Sequence, residues 1–352
     1  MPDWTKSMQQ TFEYYIVDPN TWKDKTKLSN VISSSITRDS SAETKGSATI
    51  DVAESVGECY VRVYLVTIQN EIRERFPLGT FMVQTPSSSF NGKIRNVSMD
   101  AYTPLIELKE NQPPIGYFIA KSENIMTTAY QLTSAYARAP VVHTTKDTKL
   151  NSDFVADPSD TWMTFLTDLI ANANYTYDLD ELGRIIFQPK QNVSAMQPVW
   201  TYNDDNSSIL YPELEMEHDL YGIPNVVEVL YSNNKDNYYA RVVNDNPDSP
   251  ISTVNRGREI VYRDTNPNIV GNPSNAMVKE YAETLLRDLS SIEYTISYKH
   301  GYCPTRIGDC VRLNYKRAGI HDVKAKVISQ TIDCRPGCSV SEKAVFTTNL
   351  WR

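Results

Sequence analysis

A chain of 352 residues is long for one core and suits two or three domains of ordinary size. Its 40% hydrophobic content and mean hydropathy of -0.44 exclude a disordered chain, and no apolar run approaches the ~18 residues of a helical membrane span. A net charge of -8 without a basic block argues against nucleic acid as a ligand, and the Met1-Pro2-Asp3-Trp4 start has no apolar signal core.

Residues 1–110 read as all-β. Residues 11–17 form an aromatic strand that stops at Asp18-Pro19-Asn20, 31–38 form a second, and Ala48, Ile50 and Val52 alternate strictly in a third. In 60–68, Val61, Val63 and Leu65 share one face, and Tyr60, Arg62 and Tyr64 share the other. Pro77-Leu78-Gly79-Thr80-Phe81 reads as a tight glycine turn feeding a half-buried strand, and Asn91-Gly92 predicts a hairpin turn. About six strands in this length suit a small barrel or sandwich.

Residues 111–200 change pattern. Asn111-Gln112-Pro113-Pro114 breaks the strands, and Ser122 is placed to cap a helix carrying Ile125, Met126, Ala129, Leu132 and Tyr136. Asp157-Pro158-Ser159-Asp160 starts the clearest helix, with Trp162, Phe165, Leu166, Leu169 and Ile170 on one stripe. Two short strands, 175–178 and 184–187, follow, joined through Asp180-Glu181-Leu182-Gly183. This is a compact helix-plus-hairpin module.

Residues 201–352 return to strands at 224–231 and 238–243. The segment 244–275, rich in Asn, Pro, Asp and Ser, reads as a long exposed loop that contacts a neighbouring chain, so deleting 248–268 is expected to leave the subunit folded. A helix with Met277, Tyr281, Leu285 and Leu289, flanked by Ala282 and Leu286, comes next. Strands at 293–300, 311–315, 323–331 and 339–347 then form a second barrel on which that helix packs. Arg306-Ile307-Gly308-Asp309 repeats the earlier glycine scheme, so the chain reads as two related barrels around a module.

Chemistry was sought in the same residues. The four histidines, His143, His218, His300 and His321, lack zincin spacing, and no nucleophile elbow or phosphate loop occurs. Ser40 and Ser41 have no base that the sequence identifies. Glu213, Glu215, Glu217, His218 and Asp219 form the densest acidic cluster, but their alternation with Leu214 and Met216 reads as a strand with a wet face rather than paired carboxylates or a calcium site. Trp162 lies on the helical stripe, as core rather than a sugar platform. Cys59, Cys303, Cys310, Cys334 and Cys338 read as reduced small residues filling barrel strands rather than zinc ligands or a disulfide. The sequence nominates no catalytic, cofactor-binding or metal residue.

The order barrel, helix-plus-hairpin module, barrel-with-helix resembles the baseplate hub family of phage tails, the T-even-type hub and its Bacillus-type prophage relatives. Four pieces carry the resemblance: the Pro77 to Phe81 turn; Asp160 to Leu169 running into Tyr175 to Gly183; the Ala276 to Leu289 helix running into Tyr294 to Tyr298; and Arg306 to Leu313. The resemblance implies a virion structural protein of the tail baseplate, assembled in the host cytoplasm and acting in host cell entry. It implies a homotrimer whose six quasi-equivalent barrels match a sixfold tail tube to a threefold central spike. The tail tube protein and the spike protein are its implied partners, with the tape measure protein and other baseplate subunits as further ones, and with neither nucleic-acid binding nor membrane insertion. The chain stops at Arg352, so the peptidase or glycosidase carried by siphophage tail-tip relatives is not expected. Two other readings stay open: a tail-tip cell-wall hydrolase or glycan-binding subunit, and the hub of a bacterial contractile injection particle.

Overall fold

The computed structural model describes residues 1–54, 56–90, 92, 95–144, 146–232, 237–267, 269 and 274–351. The N-terminal strands are β1 (Gln9–Val17), β2 (Asp24–Leu28), β3 (Val31–Asp39), β4 (Gly46–Val52), β5 (Cys59–Gln69), β6 (Ile72–Phe90) and β7 (Arg95–Tyr102). Their apolar residues recur every second position, so one face of each can enter a core. The two faces of β5 do not differ as its alternation suggests: Tyr60 to Thr67 are buried on both. The Pro77-Leu78-Gly79 motif is not a turn either. It lies inside the 19-residue β6, where Val63 pairs with Gly79 and Tyr64 with Pro77, leaving Leu78 as a bulge. Gly79 takes φ +152, and a Cβ there would meet the Phe81 ring at 2.6 Å. The β6–β7 hairpin brings Phe90 opposite Arg95; Asn91 of the expected turn lies outside the described residues.

The next elements are α1 (Ile106–Glu110), β8 (Phe118–Ile119), α2 (Ile125–Tyr136), β9 (Phe154–Val155), α3 (Trp162–Ala171), β10 (Tyr175–Leu179) and β11 (Ile185–Pro189). Ser122 does not cap α2; it has φ +73, and the Met126 and Thr127 amides instead donate to the Asp147 carboxylate at 2.8 and 2.9 Å. In α3, Thr161 and Thr164 form a reciprocal capping box. The α3 stripe enters one core with Ile125, Met126 and Ala129 of α2, and Trp162 stacks on Tyr136 at 4.3 Å.

The chain continues through β12 (Trp200–Asn203), β13 (Leu210–His218), β14 (Val226–Ser232), β15 (Asn237–Val243), α4 (Thr253–Arg256), β16 (Val261–Asp264) and α5 (Asn275–Leu289). It ends with β17 (Ser291–Gly301), β18 (Cys310–Asn314), β19 (Val323–Asp333) and β20 (Ser339–Asn349). One 13-stranded sheet runs β13-β17-β20-β19-β3-β4-β7-β6-β5-β1-β2, with β18 also on β19 and β12 on β18. The N-terminal and C-terminal strand systems are therefore not separate. They meet edge to edge where β19 pairs antiparallel with β3, Thr331 opposite Thr37 and Ile332 opposite Ile36.

Two compact units result: Met1–Leu214 with Ser297–Ala344, and Glu215–Ile296 with Val345–Arg352. The division falls within β13, β17 and β20. In the second unit, β15, β14 and β16 form their own three-stranded sheet. Strands 224–231 and 238–243 thus leave the second strand system, where the sequence placed them. Helix α5 packs on this sheet rather than on a barrel, through Val278, Ala282 and Leu286 against Val227, Val229 and Ala240. The buried seam is one residue off the predicted stripe, because small Ala282 allows close approach while Met277, Tyr281, Leu285 and Leu289 stay half-buried.

The described part of the 244–275 segment is not one irregular loop, since it carries α4, β16 and a small buried interior. Asn244, Ser249, Ile251 and Ser252 are buried, Asn244 Nδ2 donates to Ser249 Oγ at 2.9 Å, and β16 pairs parallel with β14. Deleting 248–268 would remove β16 and this interior, so the expectation that the fold survives is corrected. Polar residues form the interior here because each satisfies a neighbour.

Candidate functional site: the seat of the middle hairpin

Both glycine motifs of the sequence converge on the hairpin formed by β10 and β11. Leu78, Gly79, Arg306 and Ile307 line one crevice of about 30 Å3 with Asp178, Asp180 and Gly183. The hairpin tip is pre-shaped: the Asp180 carboxylate accepts from the Leu182 and Arg184 amides at 3.0 and 2.8 Å, and Gly183 takes φ +72. This presents the Leu182 carbonyl outward.

That carbonyl accepts three bonds from the N-terminal strand system. Trp22 Nε1 donates at 2.9 Å, Thr80 Oγ1 at 2.8 Å and Arg62 Nη2 at 3.2 Å. The Arg62 guanidinium is 3% exposed and also donates to Thr80, to Asp24 Oδ1 at 2.9 Å and to the Trp22 carbonyl. A buried charge of this kind is tolerable only when its donors are spoken for. Gly183 is tied to the same place: a Cβ there would lie 2.6 Å from Thr80 Cβ. The tip fits because it has no side chain.

The C-terminal strand system holds the other flank. Arg306 sits 3.1 Å from Glu181 without hydrogen-bond alignment, and 3.9 Å from Asp178. Burial lifts the Asp178 carboxyl above the usual range, against the pull of Arg306. Gly308, at φ +86, does turn the chain into β18, and its amide donates to the Val327 carbonyl. Arg38 of β3 closes the set, donating to the Leu78 carbonyl at 2.7 Å and to Gln330 Oε1 of β19 at 3.1 Å.

Gln330 leads into a buried network. Its Nε2 donates to Glu342 Oε2 at 2.6 Å; Thr305 donates to the same oxygen at 3.2 Å, and Tyr298 donates to Oε1. His300 Nε2 lies 3.3 Å from Glu342, and both side chains are fully buried. Burial pushes His300 down, but its contacts with Cys303 and Glu342 outweigh this and hold it up at about 10, so it is an imidazolium at neutral pH.

Cys303, His300 and Glu342 have the residue types of a nucleophile, base and orienting carboxylate, with Cys303 Sγ 3.9 Å from His300 Nδ1. Nδ1 donates to the Gly301 carbonyl at 2.7 Å, and Cys303 is 1% exposed, so the thiol is closed off from solvent in this arrangement.

The remaining candidates do not assemble chemistry. Glu213, Glu215 and Glu217 are exposed on β13, but Met216 is 46% exposed too, so both faces are wet rather than one. Trp162 is core. Ser40 and Ser41 sit beside Asp39, which accepts from Ser41. The five cysteines are free; Cys303, Cys310, Cys334 and Cys338 are buried and Cys59 is partly so. Among the described residues, no group of three His, Cys, Asp or Glu could hold a metal, and no helix is long and apolar enough to cross a membrane.

This mainly β fold is similar to that of solved phage tail proteins. The tail protein from Neisseria meningitidis MC58 is similar at a TM-score of 0.63 and 13% identity, over 97% of this chain and 98% of that one. The 43 kDa tail protein of prophage MuSo2 from Shewanella oneidensis is similar at 0.61 and 12%, over 95% and 98%. An E. coli type VI secretion system component, itself described as similar to T4 bacteriophage tail proteins gp27 and gp5, reaches 0.51 and 7%, over 90% and 73%. Identities this low speak for the fold. No protein-family model and no curated protein matches the sequence.

Proposed function

We propose that this chain is the structural hub of a phage tail baseplate, a homotrimer that joins a sixfold tail tube to a threefold central spike and catalyses nothing. The observation that carries the reading is the β3–β19 junction. One subunit supplies two strand systems already paired side by side, so three subunits offer six places to a sixfold partner. The likeness to tail proteins over nearly the whole chain supports it. On this reading the N-terminal and C-terminal strand systems are the tube-like parts, the segment 111–200 is the module between them, and the tail tube and spike proteins are the partners in the virion.

A second reading shares the fold and differs in the particle: the hub of a bacterial contractile injection apparatus, favoured by the likeness to the type VI secretion component. Antibody labelling of purified particles in the electron microscope tests the location, with label at the tube–spike junction as the expected result. A zymogram on host peptidoglycan tests the absence of catalysis. Clearing by the purified chain would overturn the structural reading in favour of a hydrolase.

A further inference from the structure

The cavity with the strongest chemistry lies beside the hairpin seat, in the first compact unit. It has about 190 Å3 and is bounded by Thr176 to Asp178 of β10, Gln188 to Gln191 at the end of β11, and the Arg306 to Asp309 turn. Its charge is opposite to that of the chain. Lys45, Lys190, Lys326 and Arg306 line it with Asp178 and Asp309, while Glu181 and Asp39 lie beside Arg306 and Lys45, in a protein of net charge -8.

Arg306 is engaged by Glu181 and Asp178. The three lysines are not: Lys45 Nζ donates to the Ser40 carbonyl at 2.7 Å, and none of Lys45, Lys190 and Lys326 forms a salt bridge among the described residues. Burial depresses the Lys45 ammonium, against the pull of Asp178 and Asp39. Lys45 is partly desolvated and its hydrogen-bond partner is a neutral carbonyl, so an incoming anion would relieve that cost. The walls between the charges are mixed, with Tyr177, Pro189, Met196 and Ile307 as their apolar part and Thr176, Gln188 and Gln191 as their polar part. An anion carried on an apolar stem matches this better than a bare hydrated ion does.

We infer that this cavity is a docking site for an acidic side chain on an extended segment of a partner protein, held by Lys45, Lys190 and Lys326. Charge complementarity selects the occupant, and the rigid strand ends and the Gly308 turn fix its depth. The inference goes beyond the hub reading and does not depend on threefold symmetry, because the site is formed within one subunit.

Fluorescence anisotropy on the intact chain tests it, with a dye-labelled hexapeptide of alternating glutamate and leucine and its glutamine–leucine counterpart as probes. The glutamate peptide is expected to bind and the glutamine peptide not to. Lys190→Ala with Lys326→Ala is expected to weaken binding about tenfold or more, with the melting temperature unchanged. Lys190→Gln alone, at an exposed position, gives a smaller loss and guards against misfolding of the double variant. The inference is overturned if neither peptide binds at ~5 mM, a concentration that detects even very weak complexes. Equal binding of the two peptides, or of parent and variants, overturns it as well. Displacement of the peptide by an equal concentration of sulfate would make the cavity a free-anion site and equally remove the peptide occupant.

Discussion

The two strand systems meet in one sheet and differ in what fills them. The N-terminal one is filled mainly by aliphatic residues: Ile36, Ile50, Val61, Val63, Leu65, Val97 and Met99 are buried, while of its buried charges Arg62 is turned to the hairpin and Arg38 to Leu78 and Gln330. The C-terminal one places charge at its centre, with His300, Glu342, Gln330, Thr305, Tyr298 and Tyr202 buried together. Two parts of one sheet can therefore be stabilised by different physics. An aliphatic core loses stability by increments, whereas a connected polar network fails when one member is removed.

The largest effect expected from this contrast is at Glu342. Replacing it by alanine leaves His300, Gln330, Thr305 and Tyr298 without their shared acceptor. The expected loss is about 3–5 kcal/mol in urea denaturation, the range for breaking a buried charge pair. Ile50→Val in the aliphatic core should cost only about 0.5–1.5 kcal/mol. Comparable losses for the two variants would erase the distinction.

Next in size is Gly183→Ala at the hairpin tip. It forces a Cβ to within 2.6 Å of Thr80 Cβ at φ +72. A strained left-handed residue costs about 1–3 kcal/mol before the clash is added. The melting temperature should fall, and cleavage by a protease between residues 178 and 190 should accelerate. Thr80→Gly on the same background, which removes the facing side chain, should recover part of the loss; no recovery would show that Thr80 does not set the fit.

A third effect is in pH. His300 is held up at about 10 in the folded chain, against an ordinary value of 6.5. Its contribution is complete below pH 6.5, erodes as pH rises, and is gone above about 10. Melting temperature should thus decline between pH 7 and 10, and the decline should flatten in His300→Gln. An unchanged slope in that variant would place the alkaline sensitivity elsewhere.

Periodicity made the local elements legible. The α3 stripe from Trp162 to Ile170 and the alternation of β4 appear where the sequence predicts them, and β5 is a strand there although both of its faces are buried. The seat was not legible, because the donors to the Leu182 carbonyl stand 160, 120 and 102 residues away along the chain. The one local sign was Gly183 in the Asp180-Glu181-Leu182-Gly183 turn. The shared sheet was hidden for the same reason, since Arg38 and Gln330 are 292 residues apart. The segment 244–275 misled through composition. Asn244, Ser249 and Ser252 look like loop residues, yet they are buried because they bond to one another and to nearby backbone. The Leu78-Gly79 bulge misled through likeness to the Gly308 turn, as glycine serves both conformations.

The central claim is that one subunit carries two of six places in a threefold adaptor. Light scattering coupled to size exclusion, on the purified chain at high concentration and again with its spike partner, measures this directly. The account predicts a particle of three times the 40.0 kDa chain mass. A stable dimer, or a ring of six subunits, would contradict it.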